Sequence, residues 1–151
     1  IMKNLKIGDS APSINSVDQN GDAITLKQFK GKKVVLYFYP KDMTPGCTVQ
    51  SCNLRDNYKL LLERGYVVLG CSADSPGKHV KFIEKYDLPF PLISDESKQV
   101  LNAYGVWGPK KFMGKEYDGI SRTTFVIDEK GIIEDIIEKV KTKEHASQVL
   151  K

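Results

Sequence analysis

The run Lys33-Val-Val-Leu-Tyr-Phe-Tyr39 constrains the fold of this chain more than any other segment. It is almost unbroken in apolar and β-branched residues, so it fits a strand buried on both faces. A strand of that kind needs other elements packed above and below it. The flanking sequence supplies them. Residues 47–64 read as a helix ended by Gly65. Residues 66–71 form the next buried strand, and Ser75-Pro76-Gly77 opens a second helix through about Tyr86, with Pro76 suited to the first turn.

The rest of the chain fills in around this centre. Asn20-Gly21, between residues 13–18 and 23–26, predicts a small hairpin at the start. Residues 88–94 contain two prolines and hold at most a short strand. Residues 95–104 read as a short helix with an acidic first turn that suits the helix dipole. Residues 107–119 read as a glycine- and lysine-rich loop. Strands at 123–127 and 132–140, joined by a turn at 128–131, precede a last helix near 143–150. Strands alternating with helices, then a hairpin and a helix, indicate an α/β sandwich with a central mixed sheet and an N-terminal β-hairpin extension. This is the element order of the thioredoxin-like architecture, and 151 residues suffice for one such domain.

Composition excludes several classes of function. Hydrophobic residues at 40% and charged residues at 28% are ordinary for a soluble globular protein. No apolar run approaches the roughly 20 residues of a spanning helix. Residues 1–6 show no apolar signal-peptide core, so a cytoplasmic location is expected. The net charge of +4 is mild, and Lys110-Lys111 with Lys115 is only a short basic cluster. Nucleic-acid binding would need a stronger basic stripe with interleaved aromatics. Three cysteines, an odd number, argue for catalytic, metal-binding or buried thiols over a structural disulfide framework.

Among the three, Cys47 has the most informative surroundings. Pro40-Lys-Asp-Met-Thr44-Pro45-Gly46-Cys47-Thr48 runs from the end of a buried strand into the first turn of a helix. Sites in α/β proteins form where strands end at their carboxyl edge. Unpaired helix N–H groups and the positive end of the dipole converge there, and both favour the nucleophilic thiolate. Pro40 and Pro45 stiffen the loop and hold Thr44 and Cys47 in fixed relation.

A helical wheel places Cys47, Leu54, Tyr58, Leu61 and Leu62 on one face and Cys52 about 140° away, among Arg55, Asp56 and Lys59. A cysteine on the polar side is poor core filler, and redox chemistry explains it better. In an intact helix an i, i+5 pair has Cα atoms roughly 8–9 Å apart, beyond the roughly 7 Å limit for a disulfide. If Cys47 and Cys52 are partners, the first helical turns must unwind between attack on a substrate and disulfide formation.

The same residues carry a family resemblance. Pro40-xxx-Thr44-xx-Cys47 resembles the active-site signature of peroxiredoxins, and Thr-Pro-Gly-Cys-Thr with Cys52 five residues on is similar to the bacterioferritin comigratory protein, or peroxiredoxin Q, subfamily. The likeness extends through Gly8-Asp9-Ser10-Ala11-Pro12, residues 34–40 and 67–74, and Val106-Trp107-Gly108 to Asp128. It implies a thioredoxin-like fold and reduction of hydrogen peroxide or organic hydroperoxides without metal or organic cofactor, in the service of antioxidant defence. Cys47 matches the peroxidatic cysteine that becomes a sulfenic acid. Cys52 matches the resolving cysteine, whose disulfide with Cys47 is reduced by thioredoxin or a similar dithiol. Thr44 matches the residue that positions the peroxide, Pro40 the one that shields the site from water, and Arg122 the distant arginine that returns to it. A monomer without nucleic-acid or membrane partners is implied as well.

Two positions depart from the pattern. Gln50 stands where many relatives have glutamate, and Cys71 where they have an aliphatic residue. Cys71 ends a buried strand and reads as core filler, with a role as alternative resolving thiol left open. A metal site on Cys47, Cys52, Cys71 and His79 is the rival from another class, but the spacing lacks the Cys-x2-Cys pairs common for zinc. A thioredoxin-type disulfide oxidoreductase would need the absent Cys-x-x-Cys, whereas a peroxide sensor would share the chemistry of Cys47. His79 and His145 read as surface residues of helices.

Overall fold

The structure is a computed structural model that describes residues 5–151; the signal-peptide reading of residues 1–4 lies outside them. Asn20-Gly21 turns the chain between β1 (Asn15–Val17) and β2 (Ala23–Thr25), which pair antiparallel. The apolar run then forms β3 (Lys33–Phe38). It is followed by helices α1 (Pro45–Asp56) and α2 (Tyr58–Glu63), strand β4 (Tyr66–Ser72) and helix α3 (Pro76–Tyr86). Next come β5 (Leu92–Ser94), the short α4 (Gln99–Ala103) and a hairpin of β6 (Trp107–Phe112) and β7 (Lys115–Ile120). Strands β8 (Thr123–Ile127) and β9 (Ile133–Ile137) and helix α5 (His145–Leu150) complete the chain. No helix among the described residues is long and apolar enough to cross a membrane.

Seven strands make one mixed sheet in the order β2-β1-β5-β4-β3-β8-β9. β3 lies near its middle, parallel to β4 and antiparallel to β8. Because side chains alternate across a strand, the unbroken run feeds two cores at once. Val34, Leu36 and Phe38 join Leu69, Cys71 and Phe125 in one layer. Val35, Tyr37 and Tyr39 join Cys47, Leu54, Leu61, Phe82 and Val149 in the other. The α/β sandwich with an N-terminal hairpin is therefore the architecture the alternating pattern predicts.

Three local readings need correction. The helix expected over 47–64 begins earlier, at Pro45, and breaks at Asn57. There the Asn57 amide donates to the Asn53 carbonyl at 2.8 Å, a local bond that competes with regular helix. The break shifts the phase of the second piece, so Leu62 is 46% exposed although a straight helix would bury it. The helix expected over 95–104 is confined to α4. Asp95 lies before it and accepts a bond from the Leu101 N–H at 2.8 Å. Residues 107–119 are no loop: β6 and β7 pair around Met113-Gly114, with φ of 52° and 80°. Two successive left-handed residues suit a tight hairpin turn. The exposed, charged ribbon lacks the apolar alternation that marks a strand in sequence.

Neither histidine is on the surface; both are fully buried. His145 bonds the Thr124 hydroxyl at 2.7 Å through Nε2 and Gln148 Oε1 at 2.8 Å through Nδ1. Burial lowers its pKa below the ordinary 6.5, opposed by the bond to Gln148 and assisted by the charge of Arg122. The folded protein thus takes up this proton less readily than the unfolded chain. Stability from this residue is complete above the unfolded value and declines as pH falls toward the folded one. The urea midpoint of the wild type is expected to fall more steeply below about pH 6.5 than that of His145→Gln; parallel profiles would contradict this.

Candidate active site

Thr44 occupies the N-cap position of α1 with an extended backbone, and Pro45 follows at the first helical position, where a missing N–H costs nothing. The first backbone bond of the helix runs from the Thr48 N–H to the Thr44 carbonyl at 2.9 Å. Cys47 is therefore in the first turn, as expected, and is fully buried. The Thr44 hydroxyl does not cap the helix. It donates to the Lys41 carbonyl at 2.7 Å and so tightens the loop below the cysteine.

The opposing charge arrives from the neighbouring strand. Phe38, at the end of β3, is level with Thr123, at the start of β8. The chain leaving β3 through Pro40 and the chain entering β8 through Arg122 thus share one edge of the sheet. Arg122 Nη2 donates to Cys47 Sγ at 3.3 Å, and Nη1 donates to Gln50 Oε1 at 2.6 Å. Gln50 is fully buried one turn beyond Cys47 on α1. It fixes the guanidinium without adding a negative charge. A cation held against sulfur favours the anionic nucleophile, and the buried setting strengthens the contact. Gly46 makes room for it, because a Cβ there would lie 3.3 Å from Arg122 Nη2.

Cys52 is half-buried on α1. Burial raises its pKa above the ordinary 9.0, with Arg55 opposing and Asp56 reinforcing the shift, so it rests as a thiol. Cys71 is fully buried, and burial with the nearby Asp95 charge pushes its thiol up further. It packs in the core layer opposite the one holding Cys47. The sheet therefore separates the two, and the metal set of Cys47, Cys52, Cys71 and His79 does not converge. Pro40 is partly buried beside a cavity of about 350 Å³ whose walls include Lys41, Trp107, Tyr117 and Ile120.

Sequence reasoning missed one cluster below the loop. Asp42 is buried against His79, with Oδ2 and Nδ1 2.6 Å apart. Helical spacing carried a usable signal, since His79 shares a face of α3 with the buried Phe82. Asp42, Asp74 and His79 hold ligand-type atoms within 4.8 Å of one another.

A thiol at a helix start, faced by an arginine from the adjacent strand, defines a thiol-based oxidoreductase on a thioredoxin-like scaffold. The profile of the AhpC/TSA family matches residues 7–136. Peroxiredoxin Bcp of Escherichia coli K12 is 52% identical over 149 residues, covering 99% of this chain and 96% of its own length. Peroxiredoxin Bcp of Bacillus subtilis is 45% identical, with coverages of 97% and 93%. The solved peroxiredoxin Q of Xanthomonas campestris superposes with a TM-score of 0.85 at 35% identity, covering 91% of this chain and 87% of that one. Peroxidoxin BcpB of Mycobacterium tuberculosis gives 0.86 at 35% identity, with coverages of 97% and 95%. The chain belongs to the AhpC/TSA family, on its peroxiredoxin Bcp and peroxiredoxin Q branch, and is a thiol peroxidase.

Gly46→Ala tests the fit of the guanidinium. Helix propensity alone predicts a stability gain. The added methyl should nevertheless push Arg122 away and slow alkylation of Cys47 at neutral pH several-fold. An unchanged alkylation rate would mean that the contact does not activate the sulfur.

Proposed function

We propose that Cys47 is the peroxidatic thiol and Cys52 the thiol that resolves it. The observation that carries this reading is the 3.3 Å contact of Arg122 with the Cys47 sulfur at the start of a helix that also bears Cys52. The Cys47 thiolate attacks one peroxide oxygen. A sulfur–oxygen bond forms, the oxygen–oxygen bond breaks, and the departing oxygen leaves as water or an alcohol after taking a proton. Arg122 can donate to the peroxide oxygens in fixed geometry and stabilise the charge that moves onto the leaving oxygen. Thr44 and Pro40 frame the approach, Thr44 by orienting the peroxide and Pro40 by excluding water.

Cys47 is now a sulfenic acid. The Cys52 sulfur attacks it, expelling water and closing a disulfide. Six residues of intact helix hold the pair too far apart for that bond, so the first turns of α1 unwind. Unwinding also removes the burial that keeps Cys52 a thiol. Thioredoxin or a similar dithiol then exchanges with the disulfide and restores both thiols. Cys52 is favoured over Cys71 because the sheet stands between Cys71 and Cys47. Hydrogen peroxide and organic hydroperoxides are both substrates in this reading. The bacterioferritin comigratory protein of Xanthomonas campestris, 34% identical with a TM-score of 0.85, has alkyl peroxide reduction activity, and the cavity beside Pro40 offers space for an organic group. The cycle runs without metal or organic cofactor, in a cytoplasmic monomer.

Peroxide consumption coupled to thioredoxin, its reductase and NADPH separates the roles. Cys47→Ser is expected to abolish turnover, with a loss of at least about 10³-fold. Cys52→Ser should consume about one equivalent and then stop, and Cys71→Ser should match the wild type. Sustained turnover in Cys52→Ser together with loss in Cys71→Ser would reverse the assignment of the resolving thiol. In the oxidised wild type, amide exchange over residues 46–51 should rise sharply. A disulfide formed with that helix still protected would contradict the unwinding step.

A further inference from the structure

We propose that Asp42 and His79 are positioning residues for the peroxidase reaction: their buried pair clamps a strained turn at Met43 from which the helix of Cys47 starts. The inference rests on Cys47 as the reacting thiol.

Met43 has φ of 68°, in the left-handed region that a residue with a Cβ rarely adopts. Its side chain is 41% exposed, so its own packing offers little to hold that conformation. Strain of this kind persists only where the surroundings over-determine it. Asp42, one residue earlier, supplies that determination. Its Oδ1 accepts from the Tyr39 hydroxyl at 2.5 Å, and its Oδ2 meets His79 Nδ1 at 2.6 Å. Its backbone N–H donates to Asp74 Oδ2 at 2.8 Å, and that same oxygen accepts from the Ser72 hydroxyl at 2.7 Å. One loop residue is thereby bolted to the ends of β3 and β4 and to α3.

His79 is the far end of the bolt. Its Nε2 faces the Ile93 carbonyl at 3.0 Å, an oxygen that can only accept. Both ring nitrogens therefore face acceptors. Asp42, Asp74 and His79 are joined by hydrogen bonds, Asp42 Oδ2 to His79 Nδ1 and the Asp42 N–H to Asp74 Oδ2, so the cluster acts as an anchor for the loop. Three consecutive residues link the anchor to the helix: Asp42 is fixed, Met43 turns, and Thr44 receives the first helix bond. Release of Asp42 lets Met43 relax to negative φ, which swings Thr44 and the first turn of α1 away from Arg122.

The signature of a clamp is coupling between His79 and Met43. The two side chains act on opposite sides of Asp42, and a purely structural role of His79 would make their substitutions additive. Rapid-quench mass measurement of Cys47 oxidation by hydrogen peroxide reads the rate. His79→Ala should slow it about tenfold. Met43→Asn, which suits the left-handed conformation, should stay within about twofold of wild type. The double variant should recover to within about threefold of wild type, well above the His79→Ala rate. Should His79→Ala not fold, Asp42→Asn replaces it with the same expectations. A His79→Ala rate equal to wild type, or a double variant no faster than the single, would overturn the clamp. Failure of wild-type Cys47 to be oxidised would instead sink the assignment of the reacting thiol.

Discussion

The 3.3 Å contact between the Arg122 guanidinium and the Cys47 sulfur is the interaction on which the proposed chemistry depends. The two residues are 75 positions apart, and every layer of the structure contributes to bringing them together. The register of β3 against β8 puts both chain segments at one sheet edge. Pro45 and Gly46 start the helix and leave space for the guanidinium. Gln50 takes the second amino group and fixes its plane. Because Gln50 is neutral, the positive charge is left to the sulfur. A glutamate at this position would share it.

The same helix start that prepares Cys47 for attack hinders the next step of the proposed cycle. Closing a bond to Cys52 requires dismantling the turn that holds the reactive geometry. The structure places firm attachments on both sides of that turn. Asp42 anchors the loop before it. After Cys52, the Asn53 side chain donates to the Lys143 carbonyl at 2.9 Å and accepts from the Ala146 N–H at 2.8 Å. This ties α1 to the start of α5. In the proposed cycle, unwinding confined between Asp42 and Asn53 would leave the seven-stranded sheet untouched.

Much of this was legible in the residues. The run at 33–39 announced a strand buried on both faces, and its alternating side chains do build two cores. The Pro40–Thr48 segment announced a cysteine in the first turn of a helix, and Cys47 lies there. What sequence hid was mostly tertiary. Beyond its base at Trp107 and Ile120 the β6–β7 ribbon is largely exposed, so no apolar alternation marks it. The break at Asn57 depends on one side chain competing for a backbone carbonyl. His79 and His145 resemble surface residues in isolation. Their burial becomes sensible only once Asp42, the Ile93 carbonyl and Thr124 are seen to satisfy them.

The most direct measurement is the rate at which hydrogen peroxide oxidises Cys47 in protein carrying Cys52→Ser and Cys71→Ser, with and without Arg122→Met. Loss of the guanidinium is expected to slow the oxidation at least about tenfold. Equal rates for the two proteins would contradict the central place of the Arg122 contact.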